Sequence, residues 1–124
     1  MIRGVRGAIT VDENSENVII SATEELLTRL IDENQIQPDQ VGSIFISTTE
    51  DVNAAFPAKA LRKLEGWTYV PVMCMQEIPV PNSLKMCVRV MMHVNTNEPQ
   101  EDIIHVYLKG ATVLRPDLGS SLAK

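Results

Sequence analysis

The chain has only two cysteines in 124 residues, and neither belongs to a disulfide framework. Cys74 and Cys87 both lie in strand-like apolar segments, and neither has an evident activating base beside it. No apolar run approaches the about 20 residues that a membrane-spanning helix requires. The opening Met1-Ile2-Arg3-Gly4-Val5-Arg6 also lacks the apolar stretch and cleavage site of a secretory signal. These absences point to a cytoplasmic protein with no membrane partner. Positive charge is in deficit too, with a net charge of −5, which argues against a nucleic-acid partner. His93 and His105 have no metal-ligand spacing around them, so no metal site is expected. No Ser-His-acid or Cys-His constellation and no phosphate-cradling glycine loop is visible, and no cofactor is implied. An enzyme built from these residues would work by positioning and electrostatics.

What is present reads as a mixed α/β domain over 1–118, with 119–124 expected to be a disordered tail. Residues 2–11 form a first strand. Ser15 suits the N-cap of a helix reaching about residue 33, in which Ile19, Leu26, Leu27, Leu30 and Ile31 recur at helical spacing. Residues 43–48 read as a buried strand, and Pro57 as the first position of a short helix over 57–64. Strands are expected at 69–76, with Pro71 suggesting an edge, and at 85–95. Residues 103–108 fit helix or strand, and Val113-Leu114 reads as a last strand. One long helix covers one face of such a sheet, so the other face needs barrel closure or a second copy of the chain.

Arg89 is the first candidate for chemistry. Alternation over 85–94 sets Met86, Val88, Val90, Met92 and Val94 on one face, leaving Arg89 between Cys87 and Met91 on the other. A guanidinium on a semi-apolar surface needs an anion, either a protein carboxylate or a ligand. Glu77, at the end of the preceding strand, is the evident protein partner. Alternation would put Cys74 and Glu77 on opposite faces unless the strand ends or bulges between them. Phe56, Lys59 and Arg62 recur every third residue near a helix start, forming a cationic rim suited to an acidic ligand. Arg6, flanked by Gly4 and Gly7, has room to bind a carboxylate in a bidentate manner. Tyr107 can add a neutral donor, and Arg115 can pair locally with Asp117. Each of these also has a structural reading.

Six segments in order resemble one family, the monofunctional bacterial chorismate mutases. They are Arg3-Gly4-Val5-Arg6-Gly7-Ala8, Phe56-Pro57-Ala58-Lys59-Ala60, Tyr69-Val70-Pro71-Val72 with Cys74-Met75-Gln76-Glu77, Cys87-Val88-Arg89-Val90-Met91, His105-Val106-Tyr107-Leu108, and Leu114-Arg115-Pro116-Asp117-Leu118. The resemblance implies a homotrimer of pseudo-α/β barrels with active sites between subunits. It implies rearrangement of chorismate to prephenate, in phenylalanine and tyrosine biosynthesis, without a cofactor. In that scheme Arg6, Arg89 and Glu77 are catalytic: Arg6 meets a substrate carboxylate, Arg89 the ether oxygen, and Glu77 the ring hydroxyl with Cys74 nearby. Tyr107 assists carboxylate binding. Phe56, Ala58, Val72, Met73 and Leu114 form walls, while Lys59, Arg62 and Arg115 supply outer positive charge. Met73 departs from the pattern, where a smaller polar residue is expected. Two other readings fit the residues alone: a trimeric imine or enamine hydrolase using Glu77 to activate water, and a non-catalytic sensor of small carboxylates.

Overall fold

A computed structural model describes residues 1–115. The expected tail and the Arg115–Asp117 pairing therefore fall on or beyond the edge of the described residues. Five strands form one mixed sheet: β1 (Ile2–Thr10), β2 (Val41–Thr48), β3 (Val72–Gln76), β4 (Cys87–Asn95) and β5 (Val106–Leu108), in the order β3-β2-β4-β1-β5. The three middle strands β2, β4 and β1 pair antiparallel, while each edge strand joins its neighbour in parallel. The antiparallel register sets Arg6 opposite Met91 and Ala8 opposite Arg89. On the other side of β4, Ser47 lies opposite Arg89.

Among the described residues a single α-helix, α1 (Glu16–Asn34), covers one face of the sheet. Ser15 caps it as the sequence suggests, its hydroxyl accepting from the Val18 N–H at 3.3 Å, and the helix ends at Gln35 in the left-handed conformation. Ile19, Leu26, Leu27 and Leu30 are fully buried against Val5, Ile9, Ile44, Ile46 and Val88, so the helical stripe meets the period-2 stripe of the strands. Gly7 permits this contact. A Cβ there would lie 2.6 Å from the Val106 carbonyl oxygen and 3.0 Å from Leu26 Cδ1. Its role is therefore close approach of β5 and α1. It does not make room for Arg6, whose side chain projects from the opposite face.

That opposite, outer face carries no α-helix among the described residues; only its Ala8–Cys87 end is covered, by the 3₁₀ segment that holds Ala111 and Leu114. It carries Arg6, Arg89, Met91 and His93 with Phe45, Met73 and Met75, and Phe45 packs edge-on to His93 at 5.3 Å. Met73 is 61% exposed, and Phe45 and Met75 are more than 40% exposed. Covering each such side chain is worth about 1.5–3 kcal/mol, so this is a face that a partner would stabilise.

Several expected boundaries move, the second strand beginning at Val41 rather than 43. The third strand begins at Val72 rather than 69, because Trp67–Val70 forms a turn in which the Val70 N–H donates to the Trp67 carbonyl, leaving Tyr69 in solvent. As expected from Pro71, β3 is an edge strand. The fourth strand begins at Cys87 because Met86 has φ +53°, which breaks the extended chain. Val113-Leu114 is not a strand. It closes a 3₁₀ segment, Lys109–Leu114, entered through Lys109 at φ +55°.

Candidate active site

The sheet register brings the first group of candidates onto the outer face. Arg89 Nη1 donates to Glu77 Oε2 at 2.9 Å, and Ser47 Oγ donates to the same oxygen at 3.4 Å. Glu77 can reach them because β3 stops at Gln76 and the Glu77 N–H still bonds the Thr48 carbonyl, which holds the residue beside β2. The two readings of Arg89 are thus partly resolved: a protein carboxylate does meet it. The pair is only partly covered, the side chains being 36% and 31% exposed. An ion pair that wet contributes about 1 kcal/mol or less. Glu77 is therefore no rigid anchor, and among the described residues it is the only acceptor that Arg89 has. The rest of the guanidinium fork can serve another oxygen.

Arg6 stands two residues along the same face, and its Nε donates to the Tyr107 hydroxyl at 2.8 Å. Tyr107 is buried with Ala8, Cys87 and Ala111, while Leu114 packs on that cluster. Leu114, Arg89, Glu77 and Cys87 together line a small pocket of about 210 Å³. Burial pushes the Cys87 thiol up to about 11, although Arg89 pulls the other way, so it is a neutral packing group. The positive charge of Arg115, which follows Leu114, acts on His105 near Arg6.

The second group lies elsewhere. Phe56, Ala58, Lys59, Arg62, Val72, Met73 and Cys74 line a cleft of about 750 Å³ between β3 and the segment Pro57–Lys63. That segment is a 3₁₀ helix, and its three residues per turn explain why Phe56, Lys59 and Arg62 share one side. Lys59 is engaged with Glu16 of α1 at 2.8 Å, which lowers the Glu16 carboxyl through that hydrogen bond and charge. Cys74 faces the core side beside Ala58, and burial raises its thiol. The expected neighbourhood of Cys74 and Glu77 does not exist within the chain. The register sets Cys74 opposite buried Ile46, whereas Glu77 bonds Ser47 on the outer face. No pocket among those described contains both groups of residues.

Over residues 2–118 the sequence matches the family described as chorismate mutase type I. The chain belongs to that family. It is 53% identical over 118 residues to the chorismate mutase AroH of Bacillus subtilis (strain 168), covering 95% of this chain and 93% of the relative. It is 44% identical over 122 residues to the chorismate mutase AroH of Thermus thermophilus, covering 98% and 99%. A solved chorismate mutase from Clostridium thermocellum superposes with a TM-score of 0.86 at 48% identity, covering 90% of this chain and 98% of that one.

Sequence reasoning missed three residues that shape the surroundings of this candidate site. The Asp51 carboxylate accepts from the Met86 N–H at 3.1 and 3.2 Å and from the Thr49 hydroxyl, fixing the left-handed residue that launches β4 towards Arg89. Burial opposes its charge, yet these hydrogen bonds outweigh it and hold the carboxyl below the usual 3.8. Asn34 bonds both the N–H and the carbonyl of Ile104 at 2.8 Å, tying the end of α1 to the approach of β5. His105 accepts the Arg6 N–H at 3.0 Å through Nδ1. None of these has a spacing signal. Only His105 stands inside a segment that the resemblance used, two residues before Tyr107. Among the described residues no cluster is placed to hold a metal ion, and no helix is long and apolar enough to cross a membrane.

Proposed function

We propose that this chain catalyses the Claisen rearrangement of chorismate to prephenate as a homotrimer, in sites built jointly by two neighbouring copies. The observation that carries the joint site is the separation just described. Arg6, Arg89 and Glu77 gather at the outer sheet face beside buried Tyr107 and the 3₁₀ residue Leu114, while Phe56, Ala58, Arg62, Val72 and Cys74 lie in a cleft that no described pocket connects to them. The exposed apolar side chains of that face supply the reason to associate.

The reaction is unimolecular and requires no nucleophile. The pocket must hold the compact conformer in which the bond-forming carbons face each other. As the C–O bond breaks ahead of C–C bond formation, negative charge grows on the ether oxygen and positive character on the ring. Arg89 meets the first, held on mid-strand with part of its fork open. Glu77 releases Arg89 in part, accepts from the ring hydroxyl and favours the second. Arg6, oriented by Tyr107, takes a substrate carboxylate, and Arg115 adds outer charge. Phe56, Ala58, Val72 and Cys74 of the neighbouring copy close the apolar walls, with Met73 at their edge. Arg62 and Lys59 rim the entrance.

The test is loss of chorismate absorbance with purified protein and no added metal or cofactor, alongside light scattering for the assembly. Binding without turnover would favour a sensor instead. A monomer with full activity would remove the joint site.

A further inference from the structure

The segment His105-Val106-Tyr107 holds Arg6 at both ends. Tyr107 receives the guanidinium, and His105 receives the backbone N–H of the same residue at 3.0 Å. The ladder between β1 and β5 covers only Gly7–Ile9 against Val106–Leu108, so the Arg6 N–H lies just beyond it. The imidazole takes the place of the missing ladder carbonyl. To accept, Nδ1 must be unprotonated, which puts the proton of the neutral ring on Nε2. The residue before it, Ile104, is clamped by Asn34 on both backbone groups, so the ring is delivered from a fixed point.

We propose that His105 is a positioning residue for Arg6, and that its protonation loosens substrate carboxylate binding as the solution is acidified. The inference rests on the carboxylate role given to Arg6 above. A protonated ring would present an N–H to the Arg6 N–H, leaving two donors face to face. It would also add a cation between two others. Arg6 on β1 and Arg115 after the 3₁₀ segment both act on the ring, α1 presents the uncharged Asn34, and Tyr107 faces Arg6. Among the described residues no carboxylate acts on the ring. Burial first, then Arg6, then Arg115, hold the ring below its usual 6.5, so the neutral form is the working form near neutrality.

Because the carboxylate contact is made in ground state and transition state alike, its loss raises KM and leaves kcat nearly unchanged. The experiment measures both constants for chorismate between pH 5 and 8, where ordinary carboxylates on the substrate stay ionised. KM of the native protein should rise as the pH falls towards 5, reaching on the order of tenfold once the ring is protonated, the scale of one lost hydrogen bond to a buried group. In His105→Asn the amide oxygen replaces Nδ1 and does not titrate, so KM should stay flat. His105→Ala should show the raised KM at every pH. An Asn variant that titrates like the native protein overturns the proposal, and so does an Ala variant with native KM. If the Ala variant does not fold, the comparison of Asn with native decides. Arg6→Ala separates the two levels of inference. Unchanged KM in that variant would remove the role of Arg6 itself, whereas raised KM there with pH-independent native KM would remove His105 alone.

Discussion

Replacing Arg89 with lysine keeps a positive charge on mid-β4 and removes the planar fork. In the structure one arm of that fork holds Glu77 at 2.9 Å, and the remaining donors have no acceptor among the described residues. A single ammonium cannot both satisfy Glu77 and meet the ether oxygen in the geometry of the transition state. Removing one preorganised donor to a developing oxyanion in a water-poor site raises the barrier by about 3–4 kcal/mol, so kcat should fall by two to three decades. Stability should scarcely change. The pair is one-third exposed on both sides, which caps its contribution at about 1 kcal/mol, or a few degrees in Tm for a chain of this size. The assay is chorismate consumption at saturating substrate beside a thermal melt. A variant turning over within a few-fold of native would refute the electrostatic role. A collapse in Tm would instead make Arg89–Glu77 a structural pair.

Mixing two impaired variants tests the joint site: Arg89→Ala and Arg62→Ala chains, unfolded and refolded together at equal amounts, should restore about a quarter of the sites to native form, since each site then draws one residue from each of two copies. No recovery would place both residues in one chain's site. Ser15→Ala should lower stability by about 1 kcal/mol through the lost α1 cap while leaving kcat intact, as read by denaturant unfolding and turnover. Gly7→Ala should destabilise by about 1–3 kcal/mol and raise KM, because the new Cβ meets the Val106 carbonyl and displaces the strand that carries Tyr107; a native KM would argue against that coupling. Asp51 titrates below the usual carboxylate value, so its contribution to stability is present above about pH 4 and lost as pH falls through the folded value. Asp51→Asn should therefore melt lower at pH 7 and lose less Tm between pH 5 and 3 than the native protein.

The parts of the fold that were legible in the sequence are those with one unbroken period. Ser15 and the leucine stripe fixed α1, and strict alternation on β4 set Arg89 apart from Val88 and Val90 before any coordinates. The misreadings occur where a single backbone angle overrides composition. Met86 and Lys109 adopt positive φ with side chains that do not advertise it, so β4 starts late and the apolar Val113-Leu114 ends in a 3₁₀ turn. At the site, alternation already separated Cys74 from Glu77, and the structure keeps them apart. The resemblance drew them together as parts of one site, which the proposed function assembles from two copies. His105 and Asp51 were illegible for a different reason. Each acts on a backbone N–H, and a backbone partner leaves no trace in residue spacing.

Charge balance ties the divided geometry to the substrate. On the outer face, two arginines, Arg6 and Arg89, stand against the single carboxylate of Glu77, and the Tyr107 partner of Arg6 is neutral. Among these residues one positive charge is therefore left over. A second copy could not cover such a surface with apolar side chains alone, since a desolvated, uncompensated cation destabilises an interface. Its cleft brings Arg62, which has no ion-pair partner among the described residues, while Lys59 arrives already neutralised by Glu16. In the proposed joint site these two unmatched cations would flank one crevice, and a dicarboxylate would match them with nothing left over. On that proposal a dianionic substrate would relieve a repulsion between cations that a neutral ligand of the same shape would leave in place.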